Sequence, residues 1–234
     1  MCGYHLKRVA APRTWPITRK TSKWVARPMP GAHAAERGMP LVVVLRDLLK
    51  LADKSKEIKQ ILHEGKVRVD GKVRKDYRYT VGMFDTISIP ELNANYRVVI
   101  AENGKFRIVP VTDAAIKICK IVNKTAVRGG KIQLNLHDGT TMLASNDYKT
   151  KDSILIRMPE RTIDQHISYA IGSLVIVVDG KHSGEIGKIK AINVVRSSSP
   201  NTVIITTPGG EFETVEKYVF VIGNESPAVQ GVGA

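Results

Sequence analysis

Three Asp-Gly dipeptides, Asp70-Gly71, Asp138-Gly139 and Asp179-Gly180, fix the scale on which this chain can build structure. An Asp-Gly pair between alternating apolar residues favours the left-handed backbone of a tight turn. Val67 and Val69 alternate with Lys66 and Arg68 before the first pair, and Val73 follows it between Lys72 and Arg74. Around the second, Ile132, Leu134 and Leu136 alternate with Gln133, Asn135 and His137, and Thr141-Met142-Leu143 returns the chain. The third follows the apolar run Leu174–Val178. Strands reversed this often give small sheets, and 234 residues provide for several in series. No run of about 18 apolar residues occurs, so no helix here spans a bilayer.

Only one stretch carries helical periodicity. Pro40 opens it, and Leu45, Leu48, Leu49 and Ala52 fall at i, i+3, i+4 and i+7. Ser55 is placed to cap a second helix that buries Ile58, Ile61 and Leu62 and ends at Gly65. Ahead of it, residues 1–40 show no periodicity and are broken by Pro12, Pro16, Pro28, Pro30 and Pro40. Such a segment lacks the apolar surface to offset its chain entropy, which predicts an extended tail that orders on a partner, or a plain linker. The fold class expected is α+β, mostly β, and multi-domain. Its divisions are a basic tail (1–40), two helices with a small strand set (41–102), a central β domain of about five strands (103–170) and a C-terminal five-stranded barrel with a short tail (171–234). Within the central domain, Ile116, Ile118 and Ile121 alternate with Lys117 and Lys120, which puts these lysines outside.

Charge separates these parts. The chain carries a net +14. Residues 1–38 hold eight Lys/Arg against one acid, residues 39–102 and 103–170 are also net positive, and residues 171–234 hold five against six acids. A basic chain favours a polyanion, with affinity that falls as salt rises because binding releases bound counterions. No long basic amphipathic helix points to a membrane surface. In the tail, Lys7, Arg8, Arg13, Arg19, Lys20, Lys23 and Arg27 interleave with Tyr4, Trp15 and Trp24. Cations there neutralise phosphates, while the rings of Trp15 and Trp24 stack on unpaired bases or seat against a neighbouring surface. In the helical part, Arg46, Lys50, Lys56, Lys59, Lys66, Arg68, Lys72, Arg74, Lys75 and Arg78 form one basic face, unless the acids between them spread it into an evenly charged surface.

No catalytic constellation is legible. The chain lacks a phosphate-binding G-x-x-x-x-G-K-[ST], a G-x-G-x-x-G, an H-E-x-x-H and a G-x-S-x-G. Its six histidines show no metal-ligand spacing, and His137-Asp138 reads as part of a turn. Cys119 and Cys2 build neither a disulfide framework nor a zinc site, so a small buried residue and a free terminal thiol in a reducing compartment are expected. No metal, cofactor or small-molecule substrate is expected.

The two helices followed by "HEGKVRVDGKVRKDYRYTVGMFDTISI" resemble the alpha-L RNA-binding fold of ribosomal proteins, pseudouridine synthases and some tRNA synthetases. The segment after Asp179-Gly180, "KHSGEIGKIKAI", resembles the KOW motif, a strand–loop–strand element of SH3-like barrels. Gly71 serves the first hairpin. Gly180, Gly184 and Gly187 either shape a barrel corner or let RNA approach the backbone, with Lys181, His182 and Lys188 on its phosphates. Taken with "HLKRVAAPRTWP" and "RPMPGAH", the chain is similar throughout to the archaeal and eukaryotic S-four-e family of small-subunit ribosomal proteins. The resemblance implies a ribosome-bound, cytoplasmic, non-enzymatic protein whose partners are small-subunit ribosomal RNA and neighbouring ribosomal proteins. The alternatives are a free RNA-binding or RNA-modifying protein of pseudouridine-synthase type, or a KOW-containing transcription or translation regulator. Against the modifying enzyme, no G-R-L-D catalytic context occurs, since "LRDL" at Leu45–Leu48 lies in a core helix.

Overall fold

The computed structural model describes residues 5–232, so Cys2 and Tyr4 lie outside the described residues. The chain forms two compact units, one of residues up to Val99 plus Lys105–Ala115, the other of Ile100–Gly104 plus Ile116 onward.

The first unit departs from expectation at its start. Residues 5–37 are folded onto their own chain. Strand β1 (His5–Lys7) pairs antiparallel with β2 (Trp24–Ala26). Trp15 is 1% exposed and donates its indole N–H to the Gly38 carbonyl at 2.9 Å, while the Thr14 carbonyl accepts from the Phe106 amide. Prolines deny this segment a hydrogen-bond ladder, and side chains supply the missing donors. Arg8 reaches Thr18 O at 2.5 Å, and Arg19 reaches Val9 O, Ala11 O and Pro12 O at 2.9, 2.7 and 3.0 Å. A guanidinium carries five donors, enough to serve several carbonyls at once. Farther on, the buried His33 ring bonds Asp85 Oδ2 at 2.9 Å, and Gly82 leaves the space for it.

Strand β3 (Gly38–Pro40) pairs with β6 (Thr80–Gly82) and leads into α1 (Leu41–Val43), which continues as a wider turn over Val44–Leu48. The helix begins after Pro40, as expected, but ends earlier than the apolar spacing suggested. Leu41–Leu45 are all buried, so the whole circumference packs rather than one stripe. Its end is set by Lys50 at φ 52°, with the Leu51 amide reaching back to Leu45 O at 3.0 Å. Helix α2 (Ser55–His63) buries Ile58 and Leu62 fully and Ile61 partly. Its cap is the Lys54 amide bonded to Glu57 at 3.2 Å; the Ser55 hydroxyl instead accepts from Arg46 at 2.7 Å. A five-stranded sheet follows in the order β5 (Lys72–Val73), β4 (Arg68–Val69), β7 (Thr86–Ile89), β8 (Ala94–Ile100), β9 (Phe106–Pro110). Asp70 and Gly71 turn β4 into β5 with φ of 50° and 72°, as the dipeptide predicts.

The second unit holds two five-stranded antiparallel sheets. The central one runs β12 (Thr141–Ala144), β11 (Ile132–Leu136), β10 (Ile116–Ala126), β13 (Ser153–Arg157), β14 (Thr162–Ile167); of the residues 103–170 expected to form this domain, Phe106–Pro110 instead joins the first unit as β9. Cys119, Ile121, Leu134, Leu136, Ile154 and Ile156 form its core. The other runs β18 (Gly210–Val215), β17 (Thr202–Thr207), β16 (Ile186–Asn193), β15 (Leu174–Val177), β19 (Val219–Gly223). Every residue of β19 is buried, because the strand meets β10, β13 and β14 as well as β15. Its uninterrupted apolar run carries that double burial in the sequence. The two β modules read as separate from sequence thus share one compact unit, with Lys120 Nζ donating to Val219 O at 2.5 Å.

Candidate nucleic-acid interface

The loop between β5 and β6 is the best-defined part of the basic surface. Amides at the start of a helix have no partner inside it. Here the Leu41 and Val42 amides are satisfied by the Tyr79 and Tyr77 carbonyls at 2.8 and 3.0 Å, and the Met29 amide takes Arg78 O at 2.8 Å. Asp76 tightens the turn by accepting the Arg78 amide at 2.8 Å. Three successive carbonyls are thereby fixed to the core. On this frame Arg74 lies over the Tyr79 ring at 4.2 Å, and Lys59 from α2 lies over Tyr77 at 4.2 Å, with Arg78 5.7 Å from the same ring.

The ten cations predicted for this face divide three ways. Lys59, Arg74 and Arg78 sit on the tyrosines. Lys50, Lys56, Arg68, Lys72 and Lys75 are exposed. Two are committed elsewhere: Arg46 grips Asp47 through two bonds of 3.0 and 2.9 Å, and Lys66 bridges Glu64 and Glu91 at 2.9 and 3.3 Å. Hydrogen bonds from Glu64 and Glu91 push the Lys66 pKa up, so it is a stably charged member of a neutralised group.

In the N-terminal segment Lys7, Arg13, Lys20, Lys23 and Arg27 are exposed, and Trp24 is 49% exposed beside His5 and Lys23, with ring centroids 5.5 Å apart and the ammonium 5.4 Å away. Trp24 keeps the geometry of a stacking platform. Trp15 does not, and Arg8, 6% exposed, is turned inward. These two are corrections to the predicted surface. The physical reason is that a proline-rich segment must satisfy its own carbonyls before it can offer side chains to a ligand.

In the second unit Lys181 and Lys188 are exposed, while His182 stacks on Phe212 at 4.0 Å and 11° and bonds Glu185 at 2.9 Å. The glycine alternatives resolve at two positions. A Cβ on Gly184 (φ 91°) would stand 2.2 Å from Ala101 O, and one on Gly187 would stand 2.6 Å from Ile205 Cγ2 and Thr206 O. Close approach is made there by the chain itself. Gly180, at φ 93°, meets only Tyr218 at ordinary distance.

Sequence reasoning missed one cluster. Lys117, placed outside by alternation, is 1% exposed and bonds Asp138 at 3.0 Å, with Cys119 Sγ 3.9 Å from the same carboxylate oxygen. Burial alone would raise the Asp138 pKa, but Lys117, His137 and the Thr140 hydroxyl bring it down to about 2. Ligand atoms of Cys119, His137 and Asp138 lie within 4.8 Å of one another, a grouping the spacing of histidines did not reveal, and the Lys117 ammonium supplies the cation at its carboxylate. Lys117 pairs in regular register with Ile156, and the register shift of β10 falls later, between Ile121 and Asn123, so no local irregularity marks the failure of alternation here.

Two compact β-rich units, one presenting a helix–helix–hairpin face of outward cations and the other a KOW-type strand–loop–strand, define a modular RNA-binding protein. The chain belongs to ribosomal family S4e: the profile so described matches residues 92–163, flanked by an RS4NT (NUC023) domain at 4–36, an S4 domain at 39–87 and a KOW motif at 171–206. It is 81% identical over 234 residues to "Small ribosomal subunit protein eS4" of Methanocella arvoryzae, covering 100% of both chains. It is 50% identical to the protein of that name from Archaeoglobus fulgidus, over 96% of this chain and 95% of the relative. Among solved structures, the 30S ribosomal protein S4e from Thermoplasma acidophilum matches with a TM-score of 0.69 at 31% identity, over 81% of this chain and 96% of that one.

Proposed function

We propose that this chain is a structural constituent of the small ribosomal subunit that binds and stabilises folded small-subunit ribosomal RNA in the cytoplasm, without catalysis, metal or cofactor. The observation that carries this is full-length likeness to proteins named as small-subunit components, joined to a basic face whose loop is fixed before any ligand arrives. Its RNA contacts are assigned to Lys7, Arg13, Lys20, Lys23, Trp24 and Arg27 of the N-terminal segment, to the exposed and tyrosine-held cations of residues 50–78, and to Lys181 and Lys188. Neighbouring ribosomal proteins are assigned to the remainder of the near-neutral C-terminal sheet, beyond Lys181 and Lys188, where charge gives no reason for an RNA ligand. The four-part division at residues 40, 102 and 170 remains the working description of how these contacts are organised along the chain.

Co-sedimentation with small subunits across a salt series tests the reading. The protein is expected to stay with the subunit at salt that strips loosely bound basic proteins. Release at moderate salt, with most of the protein free, contradicts it.

A further inference from the structure

We propose that Tyr77 and Tyr79 act as positioning residues that hold Lys59, Arg74 and Arg78 as a rigid cationic array for the phosphate backbone of paired RNA, and do not themselves stack on bases. This deepens the proposed function and rests on it.

An aromatic face attracts a cation through its quadrupole. An occupied face is not open to a base. Lys59 and Arg74 each stand 4.2 Å from a ring centroid, close enough to take that position. Arg74 Nε is shielded from solvent and makes no hydrogen bond, so the ring is what steadies this guanidinium. Arg78 is held on a second side by Asp76 at 3.8 Å. The backbone beneath is fixed by the carbonyls that Leu41, Val42 and Met29 engage. Long cationic side chains ordinarily lose rotamer freedom when they bind, and holding them beforehand removes part of that cost. Arg68, Lys72 and Lys75 stand exposed on the same β4–β5 hairpin and loop, continuing the array with cations and no further aromatic ring. A surface of held cations, with a cation over each ring, suits shape and phosphate recognition, as in paired RNA, rather than splayed bases.

The test uses the full chain, a blunt RNA duplex and an oligouridine strand as probes, with affinity measured across a salt series. Tyr77→Leu/Tyr79→Leu is expected to weaken duplex binding on the order of tenfold while leaving the salt slope unchanged, because the cations remain but are no longer ordered. Tyr77→Phe/Tyr79→Phe keeps the ring faces and is expected to bind as the parent does. Lys59→Gln is expected to lower the slope by roughly 0.7–0.9, because it removes a contact rather than its positioning. Thermal melts of each variant separate misfolding from lost binding; Arg74→Lys, which keeps the charge and loses the planar stack, gives the same reading with smaller disturbance. Duplex affinity unchanged in the leucine variant overturns the proposal, as does a loss confined to oligouridine. A parent chain that binds neither RNA overturns the proposed function itself.

Discussion

The N-terminal segment and the β5–β6 loop both set lysines and arginines among aromatic residues, and they use them in opposite directions. In the loop, helix amides and a neighbouring strand satisfy the backbone, so Arg74, Lys59 and Arg78 are left to face outward on Tyr79 and Tyr77. In the N-terminal segment, prolines leave carbonyls without a ladder, and Arg8 and Arg19 are drawn inward to serve them while Trp15 fills the core beneath. Local hydrogen-bond supply decides which way a cation points. Basic and aromatic content alone does not.

The contrast can be broken most forcefully at Trp15. Trp15→Ala removes a buried ring and its bond to Gly38, and is expected to destabilise the first unit by about 3–5 kcal/mol in denaturant unfolding. A loss below about 1 kcal/mol would return Trp15 to the surface. Lys117 is the second unit's inward cation. Lys117→Met leaves the Asp138 carboxylate buried without its ammonium, at a cost of about 3–5 kcal/mol near neutral pH, and the double variant with Asp138→Leu is expected to recover most of that.

The pH response of that pair follows from signs. Asp138 is held down to about 2 in the fold, so its contribution is present above the ordinary carboxylate pKa of about 4 and is lost as pH falls toward 2. Without Lys117, burial is expected to raise the Asp138 pKa, opposed only by His137 and the Thr140 hydroxyl. Lys117→Met should therefore regain stability relative to its neutral value as acid protonates Asp138, where the parent only loses it. Parallel pH–stability curves for the two proteins would contradict the pairing.

Smaller effects sharpen the comparison. Arg19→Ala leaves the Val9, Ala11 and Pro12 carbonyls short of donors and is expected to cost about 1–3 kcal/mol, with the salt slope of RNA binding unchanged. Arg68→Gln, Lys72→Gln and Lys75→Gln are expected to reverse that signature. Each should change stability by no more than about 0.5 kcal/mol while lowering the slope by roughly 0.7–0.9.

Much of the fold was legible because it rests on short-range rules. The Asp70-Gly71 turn, the Pro40 helix start, the β11–β12 hairpin of the central sheet and the burial of Cys119 all follow from local pattern. What escaped depends on distant partners. Nothing near Trp15 announces Gly38, nothing near Lys117 announces Asp138, and the close approach of Ala101 to Gly184 joins residues far apart in the chain. The candidate site divides likewise. Exposed Arg68 obeys strand alternation against buried Val69, but β5 exposes both Lys72 and Val73, and the roles of Arg8, Arg19, Arg46 and Lys66 are set by acceptors that spacing does not predict.

Residue-resolved RNA–protein crosslinking on assembled small subunits tests the central claim most directly. Crosslinks are expected at Lys59, Arg68, Lys72, Lys75 and the half-exposed Trp24, and absent from Arg8, Trp15 and Arg19. Crosslinks at Trp15 or Arg19, with none on the β5–β6 loop, would contradict the account.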